Sequence, residues 1–212
     1  MRIDISKIIL YRITHVNNLD DILLKGMLCS PNHDKANPHY TQIGDNSLIQ
    51  SRSLRSIPLP PFGSFGDYVS FYFCYRSPML YEIQRGFQVG KKEPGEIIYF
   101  VSSIKKIKDE GCKYVFSDGH AAAYSSQFFA KYSELKNIDW NIINSKYWFD
   151  NDEDPDRKRR KQAEFLVYSH VPLDAVIGIG VYNEKVKNDV EALLQSCNIK
   201  NLIVKVKEDY YY

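Results

Sequence analysis

The chain of 212 residues has no CxxC pair. Its four cysteines, Cys29, Cys74, Cys112 and Cys197, stand far apart, and no Cys/His cluster carries zinc-site spacing, so no metal is expected. The opening Met1-Arg-Ile-Asp-Ile-Ser-Lys lacks the apolar stretch of an export signal, and no apolar run is long enough to span a bilayer. A cytoplasmic protein with free thiols and no membrane partner is expected. Gly178-Ile-Gly180 lacks both a third glycine and an immediate helix, which makes it a poor dinucleotide fingerprint. Repeats and low-complexity tracts are also missing. Neither sign of charge is in excess: 28 Lys+Arg against 26 Asp+Glu leave a formal +2, which says little about partners.

Aromatic residues are what the chain has in plenty. Sixteen Tyr and eleven Phe, with two Trp, make 14% of it. Such rings fill cores and also stack on nucleobases. The hydrophobic content of 44% and the length suffice for a sizeable core, and one domain over residues 1–212 is expected.

Periodicity and turn chemistry predict strands at Ile8–Thr14, Tyr68–Cys74, Glu96–Ser102, Lys113–Phe116, Ala163–Ser169, Ala175–Val181 and Asn201–Val206. Helices are predicted from Leu19 to a C-cap at Gly26, over Asn46–Leu54, from Ser77-Pro78 to Arg85, over Ile104–Glu110 and over Lys185–Ser196. Gly119–Tyr132 reads as partly helical. Cys29–Gln42, Ile57–Gly66 and Asn137–Asn151 read as irregular. The tally is an α+β fold without regular βαβ alternation, which disfavours a doubly wound nucleotide-binding sheet.

Four segments have the residue types for chemistry. In Tyr11-Arg-Ile-Thr-His15-Val-Asn-Asn18 a histidine ends a strand beside a helix start, where ligand contact and simple capping are both open. Ile49-Gln-Ser-Arg52-Ser-Leu-Arg55 sets two arginines near a Pro/Gly-rich loop, placed for phosphate or for solvent. In Arg76-Ser-Pro-Met79-Leu-Tyr81 a strand enters a helix whose first turn offers Met79 and Tyr81 to a ring. In Arg157-Lys-Arg-Arg-Lys-Gln-Ala-Glu164 a basic run meets a strand, with Glu164 at the junction. The run could follow a phosphate backbone, but Asp150, Asp152, Glu153, Asp154 and Asp156 cancel much of its field. A carboxylate at a strand mouth can stabilise a developing cation, act as general base, or be a salt-bridged surface group.

Taken in order, these segments resemble the DarT family of bacterial toxins, ADP-ribosyltransferases that modify bases in single-stranded DNA. The matching stretches are Ile13-Thr-His-Val-Asn-Asn-Leu with Gly26, Ile49-Gln-Ser-Arg52, Asp67-Tyr-Val-Ser-Phe-Tyr-Phe with Arg76-Ser-Pro-Met-Leu-Tyr, Asp118-Gly-His120-Ala, and Gln162-Ala-Glu164-Phe-Leu-Val. They run from about residue 10 to residue 181. The family pattern has proline where Ser70 and Tyr75 stand, and two adjacent arginines where this chain has Arg52-Ser53.

The resemblance implies an ADP-ribosyltransferase-like fold, with two small sheets flanking an NAD-binding cleft among surrounding helices. It implies NAD⁺ as a consumed substrate, a thymine or guanine acceptor in single-stranded DNA, and an antitoxin macrodomain protein as partner. It makes Glu164 and Arg52 catalytic, and sets His15, Asn17, Asn18, Gly26, Arg52, Met79 and His120 against NAD⁺. Arg55, Arg76, Arg157, Arg159 and Arg160 are then the expected DNA contacts. Breaking the nicotinamide–ribose bond develops oxocarbenium charge that a carboxylate stabilises. The acceptor nitrogen must lose a proton. Arginine is an awkward base because its pKa exceeds about 12, and His120 is the alternative acceptor, with an ordinary pKa of about 6.5. The competing readings are a metal-dependent nuclease built on Asp67, Lys161 and Glu164, a non-catalytic single-strand binding module, and a transferase acting on RNA or protein.

Overall fold

The computed structural model describes residues 4–87 and 89–212; Met1–Ile3 of the opening segment lie outside them. In chain order the elements are β1 (Ile9–His15), α1 (Leu19–Lys25), β2 (Met27–Cys29), α2 (Asn46–Ser53), β3 (Tyr68–Tyr72) and α3 (Pro78–Arg85). Next come β4 (Ile97–Ser103), α4 (Ile104–Asp109), β5 (Tyr114–His120), β6 (Phe128–Phe129), α5 (Trp140–Asn144) and α6 (Arg157–Lys161). The chain closes with β7 (Ala163–Tyr168), β8 (His170–Pro172), β9 (Gly178–Val181), α7 (Glu184–Ser196) and β10 (Ile203–Val206).

Eight strands hydrogen-bond in the order β10-β9-β4-β1-β3-β7-β5-β6, and β2 pairs with β8 apart from them. The eight-stranded sheet is nearly two. β1 is zipped to β4 from Ile9 opposite Ser103 to His15 opposite Ile97. β3 is zipped to β7 from Tyr68 opposite Tyr168 to Tyr72 opposite Glu164. Between β1 and β3, however, the register holds one pair, Tyr11 opposite Tyr72. Beyond that pair the halves part, and the two-sheet arrangement around a cleft follows from this seam.

Both faces of the sheet are covered, as the alternation along β4 requires. Ile98 and Phe100 enter one core with Leu10, Phe71, Phe116 and Phe165, while Ile97 and Tyr99 enter a second with Ile13, Leu80 and Tyr211. Each fully buried Phe contributes about 1.5–3 kcal/mol relative to exposure. Among the described residues one strand pair is parallel, β9 with β10, and it is joined by α7, as a parallel connection demands. Gly178 lets that pair close, because a Cβ there would lie 2.5 Å from the Ile203 carbonyl oxygen. The glycine serves strand packing, not phosphate.

Local signals place the helices near the site. Gly26 takes φ +69° as the C-cap of α1, donating its N–H to Ile22 and Leu23 carbonyls. Ser77 caps α3 by accepting the Leu80 N–H, with Pro78 at the first position.

Two expected segments differ. Gly119–Tyr132 is not helical: β5 runs on to His120, a turn follows, and β6 pairs Phe129 with Phe116 and Phe128 with Ser117. Stacking of Phe116 on Phe129, 5.5 Å between centroids, favours the strand pairing over local helix formation. Asn137–Asn151, expected irregular, contains α5, capped by Asp139, which accepts the Ile142 N–H. Among the described residues no helix is long and apolar enough to cross a membrane.

Candidate active site

The seam opens into a cavity of about 350 Å³, within the usual size of ligand sites. β1 supplies Arg12 and Ile13; β3 supplies Ser70 and Tyr72; β7 supplies Glu164. Ile49 and Arg52 come from α2, Met79 and Glu82 from α3, and His120 from the end of β5.

Glu164 is fully buried on this wall. One carboxylate oxygen accepts the Ala121 N–H at 3.0 Å, and the other accepts from an Arg52 guanidinium nitrogen. A buried carboxylate costs several kcal/mol unless its oxygens are satisfied, and here both are. Burial works against the Arg52 charge, but the Glu164 carboxylate beside it wins and raises the guanidinium's pKa. Arg52 also lies over the Phe65 ring, 4.8 Å from its centroid.

His120 sits across from Ala163 in the β5–β7 ladder. Burial lowers its pKa, and Arg52, Arg55 and Lys158 lower it further against the opposing pull of Glu164. The imidazole is therefore neutral at pH 7 and able to accept a proton. Burial also raises the Tyr72 phenol, whose oxygen lies 3.5 Å from the Met79 sulfur.

His15, Asn17, Asn18 and Gly26 are not among the cavity-lining residues. The His15 ring accepts the Asn17 N–H at Nδ1, which fixes the tautomer, and Nε2 faces Glu96 at 3.3 Å. Asn18 donates to the Thr14 hydroxyl and the Thr41 carbonyl and accepts the Thr41 N–H. It thereby clamps the segment whose Tyr40, Gln42, Ile43 and Gly44 form one wall of the cavity. Gly26 ends α1.

The five arginines expected at DNA are dispersed. Arg55, just beyond α2, donates to the Ala122 carbonyl and lies over the Tyr124 ring. Arg76 donates to the Tyr211 carbonyl at 3.0 Å and lies over Tyr212. Arg157 reaches the Tyr147 carbonyl, with Asp154 at 4.0 Å. Arg159 is gripped by Asp156 at 2.7 Å and Asp118 at 3.0 Å, and Arg160 by Asp139 and Asp154. Lys161 is buried and donates to the carbonyls of Ile143 at 2.7 Å and Ser145 at 2.8 Å. Asp67 is engaged in a capping box with Ser64. Asp67 and Lys161 thus do not converge on Glu164, and no group of three metal-ligating side chains occurs among the described residues.

One cation in the cavity wall escaped the sequence reading. Arg12 donates to the Ser70 carbonyl across the seam at 3.0 Å, while its Nε is buried without a hydrogen-bond partner. Its place in a strand pattern read as core hid it; only the parting of β1 from β3 exposes it.

Against known proteins, the family described as "ssDNA thymidine ADP-ribosyltransferase, DarT" matches residues 11–212. A DNA ADP-ribosyl transferase of Thermus sp. (strain 2.9) is 37% identical over 207 residues, 96% of this chain and 95% of that one. A DNA ADP-ribosyl transferase–DNA ADP-ribosyl glycohydrolase fusion protein of Thermosipho africanus is 32% identical over 193 residues, 90% of this chain and 46% of that one. The solved structure of Thermus sp. 2.9 DarT in complex with ADP-ribosylated ssDNA has a TM-score of 0.91 at 34% identity, covering 100% of this chain and 99% of that one. The complex of the same protein with NAD⁺ gives 0.84, also at 34% identity, covering 97% and 98%.

Proposed function

The chain belongs to the DarT family, and from that premise we propose how its cavity carries out NAD⁺-dependent transfer of ADP-ribose to a base in single-stranded DNA. It is a DNA ADP-ribosyltransferase that consumes NAD⁺. The observation that carries the residue roles is Glu164, buried on the cavity wall with its carboxylate held by the Ala121 N–H and Arg52.

The C1′–N bond of the nicotinamide ribose breaks, and its electron pair leaves with neutral nicotinamide. Glu164 faces the positive charge that grows on the ribose and stabilises it in a water-poor site. The ring nitrogen of the acceptor base, the N–H of thymine in the reading the family favours, forms the new bond to C1′ and releases its proton. Neutral His120 takes that proton. Arg52 keeps its charge, fixes the carboxylate and orients the base and NAD⁺. Arg12, with its unused buried N–H, suits the NAD⁺ diphosphate. Met79 and Tyr72 flank the nicotinamide.

His15, Asn17, Asn18 and Gly26 act by holding the wall that the substrate touches. The single strand runs past Arg55, whereas Arg157, Arg159 and Arg160 stiffen α6 through their aspartates. Both sheet halves contribute to one site, which supports one folding unit over 1–212. The expected setting is the cytoplasm, with a glycohydrolase antitoxin of macrodomain type that removes the mark. Mass spectrometry of single-stranded oligonucleotides incubated with NAD⁺ tests the reading. An added ADP-ribose on a thymine with wild type, and none with Glu164→Gln, is expected; modification of protein or RNA alone would overturn it.

A further inference from the structure

One strongly exposed aromatic ring lies on the turn whose backbone holds Glu164. Tyr124 is 98% exposed and lies in the turn between β5 and β6. It follows Ala121, whose N–H holds Glu164, by three residues. Among the described residues its ring has one contact, the Arg55 guanidinium, with Cζ 4.7 Å from the centroid. Arg55 is fastened to the same turn through the Ala122 carbonyl. Unlike Arg159 and Arg160, whose charges meet Asp156 and Asp154, Arg55 forms no ion pair among the described residues.

We propose that the Tyr124 ring, backed by Arg55, is a stacking platform for the nucleobase next to the one that is modified. The inference deepens the DNA-transfer reading and rests on it. A flat ring in open water is not fold-stabilising there, yet it offers a π-face that any base can cover, beside a cation free to meet the backbone phosphate. The turn ties this face to the carboxylate that acts on the ribose, so a base seated on Tyr124 sets its neighbour's register at the reaction centre. The exposed Phe149 and Phe87 instead pack on Tyr81 of α3 and lack this tie to Glu164.

Steady-state kinetics with a single-stranded oligonucleotide carrying one target thymidine test this. Tyr124→Ala raises the KM for the oligonucleotide by about fivefold or more, the range of a lost base–aromatic stack, and leaves the KM for NAD⁺ alone. Tyr124→Trp and Tyr124→Phe restore the KM; Tyr124→Leu, apolar but not flat, does not. An abasic site beside the target reproduces the loss in wild type and adds nothing further in Tyr124→Ala, as coupled partners require. An unchanged oligonucleotide KM in Tyr124→Ala, or rescue by Leu equal to that by Trp, overturns the platform. Failure of wild type to modify any oligonucleotide would overturn the transfer reading beneath it.

Discussion

Glu164 and Arg52, 112 residues apart in sequence, form an ion pair in the cavity wall, with the Ala121 N–H taking the carboxylate's other oxygen. The pair joins α2 to β7 and so couples the helix beside the cavity to the residue proposed to meet the ribose. Its members are interdependent: either one alone would be a charge held away from water.

Glu164→Gln keeps the volume and the Ala121 hydrogen bond but loses the negative charge. The rate of transfer is expected to fall about 100-fold or more, with NAD⁺ affinity largely retained, because a charge stabiliser acts mainly in the transition state. Single-turnover transfer together with NAD⁺ titration measures both. A variant with near-normal turnover would remove Glu164 from its role.

His120 should give transfer an acid limb. Its folded pKa lies below the ordinary 6.5 because of burial and the neighbouring Arg52, Arg55 and Lys158. The base form is therefore kept down to below pH 6.5, and the rate drops only at lower pH. His120→Ala lowers the rate and abolishes that limb. For stability, the unfolded chain binds a proton at this group below about pH 6.5 that the folded chain resists. The destabilisation from this residue thus begins as pH falls through 6.5 and levels off below the depressed folded pKa. Melting temperatures of wild type and His120→Asn across pH 5–7 should converge or cross accordingly.

Replacing Arg157, Arg159 and Arg160 together with Gln should cost stability more than DNA affinity. Arg159 meets two aspartates and Arg160 three, and Arg157 meets a carbonyl and Asp154. The slope of log K against log salt for a single strand is expected to stay within about 0.7 of wild type, whereas Arg55→Gln alone lowers it by about 0.7. A drop near three times that size in the triple variant would put α6 on the strand path.

Asn18→Ala should raise the KM for NAD⁺ without Asn18 touching it. The change leaves the Thr41 N–H and carbonyl without their side-chain partner, which costs about 1–3 kcal/mol and loosens the wall formed by Tyr40, Gln42 and Ile43. The melting temperature falls by about 2–12 °C for a chain of this size. If Asn18 served only helix α1, the melting temperature would fall with no change in the KM.

Local chemistry in the sequence settled much of this protein. Ser77-Pro78 begins α3 and Gly26 ends α1 because capping and left-handed backbone depend on a few adjacent residues. The order of motifs from Ile13 to Val167 carried the family and hence the chemistry. Tertiary structure alone decided which motif residues line the cavity. Arg12 lines it where β1 and β3 part after one pair, whereas His15 lies outside the lining with its ring nitrogens meeting the Asn17 N–H and Glu96. The ion pairing of the basic run likewise depends on the fold. Asp118 and Asp139, 41 and 21 residues from the arginines they grip, join Asp154 and Asp156 only after the strands and α5 are in place. Pairing between charges falls with distance in space, and that distance is set by the fold rather than by separation along the chain.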